Sequence, residues 1–250
     1  MRYYDSKGNL VEFDGLKSGH YGYNSEIMKL SDGSVYKKYF QEIEEENRIL
    51  IEVFEFIKQL NNDHMVKLLE RFYQAHNSIA AEDIKNHPEQ YVIDAYTYEW
   101  VEKDDTNTVN MPIDYLTDNL RDLLLFADIL SSYGLYMIDV KMENIVLNKS
   151  GMVLIDPDIY TFESEVSYKK FDVVDDDFKV KKWNRKAIIE LFKSLCCMEL
   201  KHLEEMKSAE IVINELFEEV SWAGKYDPSI VSKKLSGFKT PLEYARYATR

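Results

Sequence analysis

The sequence predicts an α+β fold: a β-rich N-terminal part with one main helix, then a mostly helical part. Three observations in the 250-residue chain favour this order. Strand-like runs flank an Asp-Gly turn near residue 32, a helical stripe follows at residues 41–60, and helical patterns dominate beyond residue 183. We therefore expect two parts, residues 1–101 and 102–250, within one domain.

Composition and charge narrow the function classes. A hydrophobic fraction of 45% and an aromatic fraction of 13% are typical of a globular chain with a packed core. The formal net charge of −14 argues against nucleic-acid or anionic-lipid binding as the main activity. The sequence shows no apolar signal core and no stretch as long as a membrane span, so we expect a cytoplasmic protein with no nucleic-acid and no membrane partner. Cys196 and Cys197 are adjacent and indicate neither zinc nor a structural disulfide.

The N-terminal part is predicted to consist of strands around one helix. The runs "SEIMKL" and "VYKKYF" flank the turn "SDGS" and predict a hairpin. Further strands are predicted at residues 65–73 and 91–101. Over residues 41–60 five apolar residues share one helical face. They are Ile43, Leu50, Val53, Ile57 and Leu60.

The C-terminal part is predicted to follow a polar linker. A helix is expected over residues 116–134, and Gly134 is well placed to end it. The apolar runs "NIVL" and "MVLID" then flank the turn "KSG" and predict a second hairpin.

Three polar residues stand beside this second hairpin. Asp139 and Asn144 lie five residues apart, and the hairpin is expected to bring Asp156 back to the same end. Two carboxylates and an amide oxygen that converge there suit magnesium and can orient a hydroxyl group. Each residue alone reads as an ordinary turn residue, whereas the combination favours a site.

Residues near the first hairpin suit a phosphate ligand. Gly19 and Gly22 allow a backbone to approach phosphates closely, although such glycine pairs are also common in turns. Strand alternation turns one of Lys37 and Lys38 inward, and an inward lysine needs an anionic partner. A solvated edge strand with both lysines exposed is the alternative.

A glutamate on the predicted helix is the candidate partner for this lysine. Glu46 interrupts the apolar stripe, and a carboxylate on a buried face favours pairing with a lysine. Glu45 and Glu52 are the alternatives.

Together these residues resemble the protein-kinase fold over nearly all of the N-terminal 165 residues. The stretch "MIDVKMEN" resembles the catalytic loop His-Arg-Asp-Leu-Lys-Pro-Glu-Asn, and "IDPD" stands where Asp-Phe-Gly is expected. "SVYK" is similar to Val-Ala-Ile-Lys, "ENRIL" to the helix that supplies the partner glutamate, and "YTYEWVE" to the last N-lobe strand and hinge. Each motif alone is weak, but five in the right order are specific.

The resemblance implies a two-lobed protein-kinase-like fold with lobes at residues 1–101 and 102–250 and with ATP in the cleft. It implies a magnesium-requiring phosphotransferase that moves the γ-phosphate of ATP to a hydroxyl group. Lys141 resembles the Ser/Thr protein kinase loop, which makes Ser/Thr of a protein the first choice of acceptor. A small-molecule kinase, a pseudokinase scaffold and an adenylate-transferring enzyme of the same fold are the alternatives.

The resemblance also assigns roles to residues, with ATP and Mg²⁺ as cofactors. In the catalytic loop, Asp139 would orient the acceptor hydroxyl and Lys141 would steady the transferred group. Asn144 and Asp156 would bind magnesium. The residues expected at ATP are Gly19 and Gly22, Lys37 on the α- and β-phosphates, Glu46 as the anchor of that lysine, and Glu99 and Val101 at the adenine, next to Tyr98 as gatekeeper.

The sequence also departs from the kinase pattern: Lys17 stands where the first loop glycine is expected, and no Ala-Pro-Glu motif follows. Met137 and Ile138 replace His-Arg, which removes the usual anchor of a phosphorylated activation loop and argues against control by that route. Pro157 and Asp158 replace Phe-Gly. For Asp158 two roles remain open, a second metal ligand or a turn residue.

Overall fold

The structure is a computed structural model and describes residues 2–12, 20–21, 25–43, 48–74, 86, 92–103, 111–162, 178–197, 215, 229–240, 243–244 and 247. The fold is α+β, with an antiparallel sheet and several helices, as the sequence predicts. The chain divides into two compact units. The first consists of Met1–Val101 and Ile155–Thr161, the second of Glu102–Leu154 and Phe162–Arg250.

The first unit is built on a seven-stranded antiparallel sheet. Strands β1 to β7 span, in order, Arg2–Tyr4, Leu10–Glu12, His20–Tyr21, Ser25–Lys29, Ser34–Tyr39, Leu68–Gln74 and Ala95–Glu99. Their order across the sheet is β2-β1-β6-β7-β5-β4-β3. The strands predicted from residues 65 and 91 are thus confirmed as β6 and β7, and β7 lies between β6 and β5.

The predicted first hairpin is confirmed as β4 and β5. Its turn is closed by Asp32, whose Oδ1 accepts hydrogen bonds from the backbone N–H of Ser34 at 2.9 Å and from its hydroxyl at 2.7 Å. Gly33 has a φ of +88°, a backbone conformation that favours glycine. The turn sets a register in which Lys37 of β5 lies opposite Ile27 of β4.

Helix α1 spans Ile51–Leu60 and is shorter than the sequence pattern predicts. Leu50, which the pattern placed inside the helix, is extended and bridges to Val92. Ile43 lies in a turn, where its carbonyl oxygen accepts hydrogen bonds from the Arg48 guanidinium at 3.0 and 2.7 Å. Among the described residues, long-range pairing therefore replaces helix at Leu50, and these hydrogen bonds accompany the turn at Ile43.

The second unit combines helices with a hairpin. Helices α2, α3 and α4 span Ile113–Ser132, Phe178–Cys197 and Ser229–Leu235, and strands β8, β9 and β10 span Leu135–Met137, Ile145–Asn148 and Gly151–Leu154. The predicted second hairpin is confirmed as β9 and β10, with Gly151 opposite Asn148. The helix predicted to start at residue 116 starts at Ile113, and Gly134 follows its end with a φ of +73°.

Ion pairs connect helices α2 and α3. The carboxylate of Asp128 accepts two hydrogen bonds from the Arg185 guanidinium, at 2.6 and 2.5 Å, and lies 3.1 Å from the Lys181 ammonium. These cations hold the pKa of Asp128 below its usual value although partial burial opposes them. Within the described residues, no helix has both the length and the apolar character needed to cross a membrane.

A segment that follows β10 returns to the first unit. Residues Pro157–Ile159 form a short 3-10 helix, and strand β11 follows at Tyr160–Phe162. Asp156 is the N-terminal cap of the 3-10 helix, because its side chain accepts a hydrogen bond from the backbone N–H of Asp158 at 3.1 Å.

Candidate functional site

Lys37 is the centre of a buried cluster in the first unit. Its side chain points inward, as strand alternation predicts, and the residue is only 5% exposed. The Nζ atom donates to Oδ1 of Asp156 at 2.8 Å and to Oδ2 of Asp158 at 3.0 Å. Two carboxylates therefore compensate one ammonium that has been removed from water.

Two tyrosines complete this cluster by binding Asp158. The hydroxyl of Tyr39 donates to Oδ1 of Asp158, and the hydroxyl of Tyr96 donates to the same atom at 3.2 Å. Lys37, Tyr39, Tyr96, Asp156 and Asp158 together are called the lysine cluster below.

The sheet explains why these side chains meet. Lys37 and Tyr39 are two residues apart on β5 and so share a face, and Tyr96 lies opposite Lys37 on β7. The 3-10 helix Pro157–Ile159 then brings the Asp158 carboxylate to the same Lys37 ammonium that Asp156 contacts.

The two carboxylates of the lysine cluster differ in how many of their oxygens accept hydrogen bonds from the described residues. Both oxygens of Asp158 are engaged, Oδ1 by the two tyrosines and Oδ2 by Lys37. In Asp156, Oδ1 accepts from Lys37 and from the backbone of Asp158, whereas Oδ2 accepts no hydrogen bond from the described residues. The Asp156 side chain is 27% exposed. Asp156 thus retains one carboxylate oxygen for a ligand.

The charges in the cluster shift its pKa values. Burial alone would lower the pKa of the Lys37 ammonium, but Asp158 and Asp156 reverse this and raise it above its usual value. Burial raises the pKa of the Asp158 carboxyl, the Lys37 charge opposes this rise, and Asp156 adds to it. Burial also raises the pKa values of Tyr39 and Tyr96, so both hydroxyls stay protonated donors.

The second unit gathers three predicted site residues in residues 139–144, called the DVKMEN loop below. The Lys141 ammonium lies 2.6 Å from Oδ2 of Asp139. The amide Nδ2 of Asn144 donates to the backbone oxygen of Asp139 at 2.9 Å and to its Oδ2 at 3.3 Å. Side-chain exposures of 54% for Asp139 and 49% for Lys141 leave both accessible from solvent. Asn144 is 8% exposed, and its Oδ1 accepts no hydrogen bond from the described residues.

Helix α3 holds the strand that leads into the DVKMEN loop. Asn184 is fully buried, and its Oδ1 accepts from the Met137 N–H at 2.8 Å while its Nδ2 donates to the Leu135 carbonyl at 2.8 Å. The indole of Trp183 donates to the Met137 carbonyl at 2.7 Å. The Trp-Asn pair near the start of an amphipathic helix was the available signal for this role, but the sequence does not say which backbone groups the pair binds.

Replacing Asn184 with alanine is expected to lower the free energy of unfolding by about 2–3 kcal/mol, because it leaves a buried N–H and a buried carbonyl without a partner. Urea denaturation of the full chain measures this loss. Lys186, exposed on the same helix, provides the matched Lys186→Ala control, for which little change is expected. Equal stabilities of the two variants would contradict the assigned role.

Three predicted ATP-site residues lie outside the described residues. They are Gly19, Gly22 and Glu46. Glu45 also lies outside them, and Glu52 is exposed on α1. Within the part of the chain that the structure describes, the partners of Lys37 are Asp156 and Asp158, neither of which the sequence had suggested as its anchor.

The residues predicted at the adenine lie at the end of β7. Glu99 is exposed, and its backbone N–H donates to the carbonyl of Lys67 at 3.0 Å. Val101 is half-buried. Tyr98, the predicted gatekeeper, is 7% exposed, and burial raises its pKa to about 12, so its hydroxyl is protonated at physiological pH.

The predicted magnesium ligands do not form an all-protein metal cage. Among the described residues, no group of three or more His, Cys, Asp or Glu side chains could hold a metal ion. Magnesium in phosphotransferases is usually bound by one or two protein oxygens together with phosphates and water, which does not require such a group. Asp156 in the first unit and Asn144 in the second each keep one side-chain oxygen that accepts no hydrogen bond from the described residues.

The comparisons with known proteins add no assignment. No protein family matches the chain, and no curated protein matches it significantly.

Proposed function

We propose that the protein is a magnesium-requiring phosphotransferase with a two-lobed protein-kinase-like fold, which moves the γ-phosphate of ATP to a hydroxyl group. The observation that carries this proposal is the partly buried ion pair of Lys37 and Asp156, which joins residues 119 positions apart. These are the residues that stand at the ATP lysine and the metal aspartate in the resemblance. A spacing that long is not explained by a local turn.

The chemistry of Lys37 suits the phosphates of a nucleotide. A buried ammonium whose counterions are carboxylates can exchange one of them for a phosphate oxygen without leaving its charge uncompensated. Lys37 then holds the α- and β-phosphates, and Asp156 is released from the lysine. Phosphoryl transfer requires mainly such positioning and charge neutralisation.

The resemblance assigns magnesium to Asp156 of the first unit and Asn144 of the second. Oδ2 of Asp156 and Oδ1 of Asn144 accept no hydrogen bond from described residues, and carboxylate and amide oxygens are ligands of hard cations. When bound, magnesium neutralises the phosphate charge that develops during transfer.

The DVKMEN loop supplies the remaining groups. Asp139 is exposed enough to meet an acceptor hydroxyl, and Asn144 fixes its orientation through two hydrogen bonds. Lys141, beside it, is placed to steady the transferred group. We take a protein Ser/Thr hydroxyl as the acceptor, by analogy with kinase loops that carry a lysine at this position.

Replacing Asp156 with alanine is expected to weaken ATP binding in the presence of magnesium, by about tenfold or more, with a much smaller effect in its absence. Calorimetric titration of the full chain with ATP, with and without magnesium, measures both affinities. Asp94 forms a partly buried ion pair with Arg48 in the same unit, so Asp94→Ala is the control for general loss of a carboxylate. Unchanged magnesium-dependent affinity in the Asp156 variant would remove this residue from the metal site.

The proposal as a whole is tested with ATP labelled at either the γ- or the α-phosphate. The full chain is incubated with magnesium, each nucleotide and a mixture of protein and small-molecule acceptors. Labelling from the γ-position alone is expected, and the labelled fraction identifies a protein or a small-molecule acceptor. Labelling from the α-position would show adenylate transfer instead. Nucleotide binding without either label would show a pseudokinase scaffold.

A further inference from the structure

We infer that Asp158, held in place by Tyr39 and Tyr96, is the residue that positions Lys37 for the nucleotide phosphates; this inference rests on the proposed function. The lysine cluster gives Lys37 two carboxylate partners, and they differ in their surroundings. Asp158 is a positioning residue, since it acts through Lys37.

The hydrogen bonds of Asp158 suit an anchor. Its Oδ1 receives two tyrosine hydroxyls and its Oδ2 receives the lysine, so within the described residues each oxygen already has a donor. A metal ion at Oδ2 would lie beside the Lys37 ammonium, and one at Oδ1 would compete with two hydroxyl donors. The second role considered for Asp158, a metal ligand, is therefore the less favourable one.

The tyrosines restrict where Asp158 can move. Tyr39 and Tyr96 are 2% and 0% exposed, and both belong to strands of the central sheet. The hydroxyl of Tyr39 also accepts a hydrogen bond from the backbone N–H of Ile49 at 3.3 Å, which fixes the tyrosine itself. A carboxylate held by two such hydroxyls is a rigid partner for Lys37.

The two carboxylates therefore have different roles in the inferred mechanism. Asp158 keeps Lys37 in position throughout the reaction, whereas Asp156 can leave the lysine when magnesium and phosphates arrive. Without Asp158, Asp156 would be the one remaining carboxylate partner of Lys37 among the described residues, and its release would leave no carboxylate to hold the lysine in position.

The first test compares Asp158→Asn, Tyr96→Phe and the control Asp94→Asn in ATP turnover by the full chain. Asp94 is a suitable control because its side chain is 22% exposed and ion-paired, close to the 23% of Asp158. Asp158→Asn is expected to raise the KM for ATP by roughly tenfold or more, with a smaller change in kcat. Tyr96→Phe should raise it less and Asp94→Asn hardly at all. Equal effects of Asp158→Asn and Asp94→Asn would overturn the inference.

The second test does not depend on turnover. Lys37 in the folded, nucleotide-free and magnesium-free chain is acetylated with limiting acetic anhydride, and labelling is read by mass spectrometry against the neighbouring Lys38. An amine must lose its proton to react, and a paired ammonium resists this. Asp158→Asn is expected to raise Lys37 labelling several-fold, and Tyr96→Phe, which keeps the carboxylate, should raise it less.

The two tests separate the anchor from the proposed function. If the unsubstituted chain shows no ATP turnover but Asp158→Asn raises Lys37 labelling, the anchor stands and the phosphotransferase fails. If turnover is present and Lys37 labelling is the same in the unsubstituted chain, Asp158→Asn and Tyr96→Phe, the anchor fails alone. If Asp158→Asn needs a higher magnesium concentration for ATP turnover while its Lys37 labelling is unchanged, Asp158 is a metal ligand and the inference is overturned.

Discussion

Replacing Lys37 with alanine is expected to abolish ATP-dependent phosphoryl transfer and to lower the free energy of unfolding by about 3 kcal/mol. The change removes the ammonium that two carboxylates share at 2.8 and 3.0 Å. The loss should lie at the low end for a broken buried ion pair, because the side chains of Asp156 and Asp158 are 27% and 23% exposed. Urea denaturation measures the stability, and transfer from labelled ATP measures the activity.

The stability loss in this variant is expected to depend on pH. Burial and Asp156 raise the pKa of the Asp158 carboxyl, and without Lys37 no ammonium opposes this rise, so its pKa in the folded state lies further above its pKa in the unfolded state. The folded state then binds more protons than the unfolded state between those values, and stability falls as pH rises. The deficit should therefore be larger at about pH 8 than at about pH 5. A deficit that does not change with pH would contradict this explanation.

A half-exposed lysine provides the control for this variant. The ammonium of Lys67 lies 3.9 Å from Glu99, with side-chain exposures of 51% and 54%. Such surface pairs contribute little, so Lys67→Ala should leave both the stability and its pH dependence close to those of the unsubstituted chain.

Replacing Asp139 with asparagine is expected to lower the transfer rate by a factor of about 10²–10⁴ while ATP binding is retained. Asparagine keeps the shape of the side chain but cannot accept a proton from the acceptor hydroxyl. Asp139 is 54% exposed, and its contacts lie within the DVKMEN loop, so little loss of stability is expected.

The measurement for Asp139 is the single-turnover rate of transfer together with the affinity for ATP. Glu143, exposed in the same loop, supplies the matched Glu143→Gln control, which removes a charge without removing the base. A rate for Asp139→Asn equal to that of the Glu143 control would refute the role of Asp139 as base.

Local patterns were sufficient to predict much of the fold and part of the site. The Asp-Gly turn and the period-2 alternation around it predict the β4–β5 hairpin, and the same alternation turns Lys37 inward. The DVKMEN loop groups Asp139, Lys141 and Asn144 because they are close in sequence. In each case the determining interactions lie within a few residues.

The remaining features depend on contacts that a local pattern does not contain. From the sequence, Asp158 was predicted to be a turn residue or a metal ligand. Its contact with Lys37 was not predicted, because the two residues are 121 positions apart. The predicted start of α1 was wrong because the backbone of Leu50 pairs with Val92, and this bridge requires an extended conformation at Leu50 although the apolar pattern favours helix. Asn184 lies on an amphipathic helix, and the sequence there does not indicate that the partner of its side chain is the backbone of β8.

The central claim, transfer of the γ-phosphate, is tested most directly by the nucleotide product that the full chain forms from ATP with magnesium and an acceptor. Chromatography should show ADP, formed together with a phosphorylated acceptor, and Asp139→Asn should form neither at a comparable rate. AMP as the product, or ADP formation that Asp139→Asn leaves unchanged, would contradict the claim.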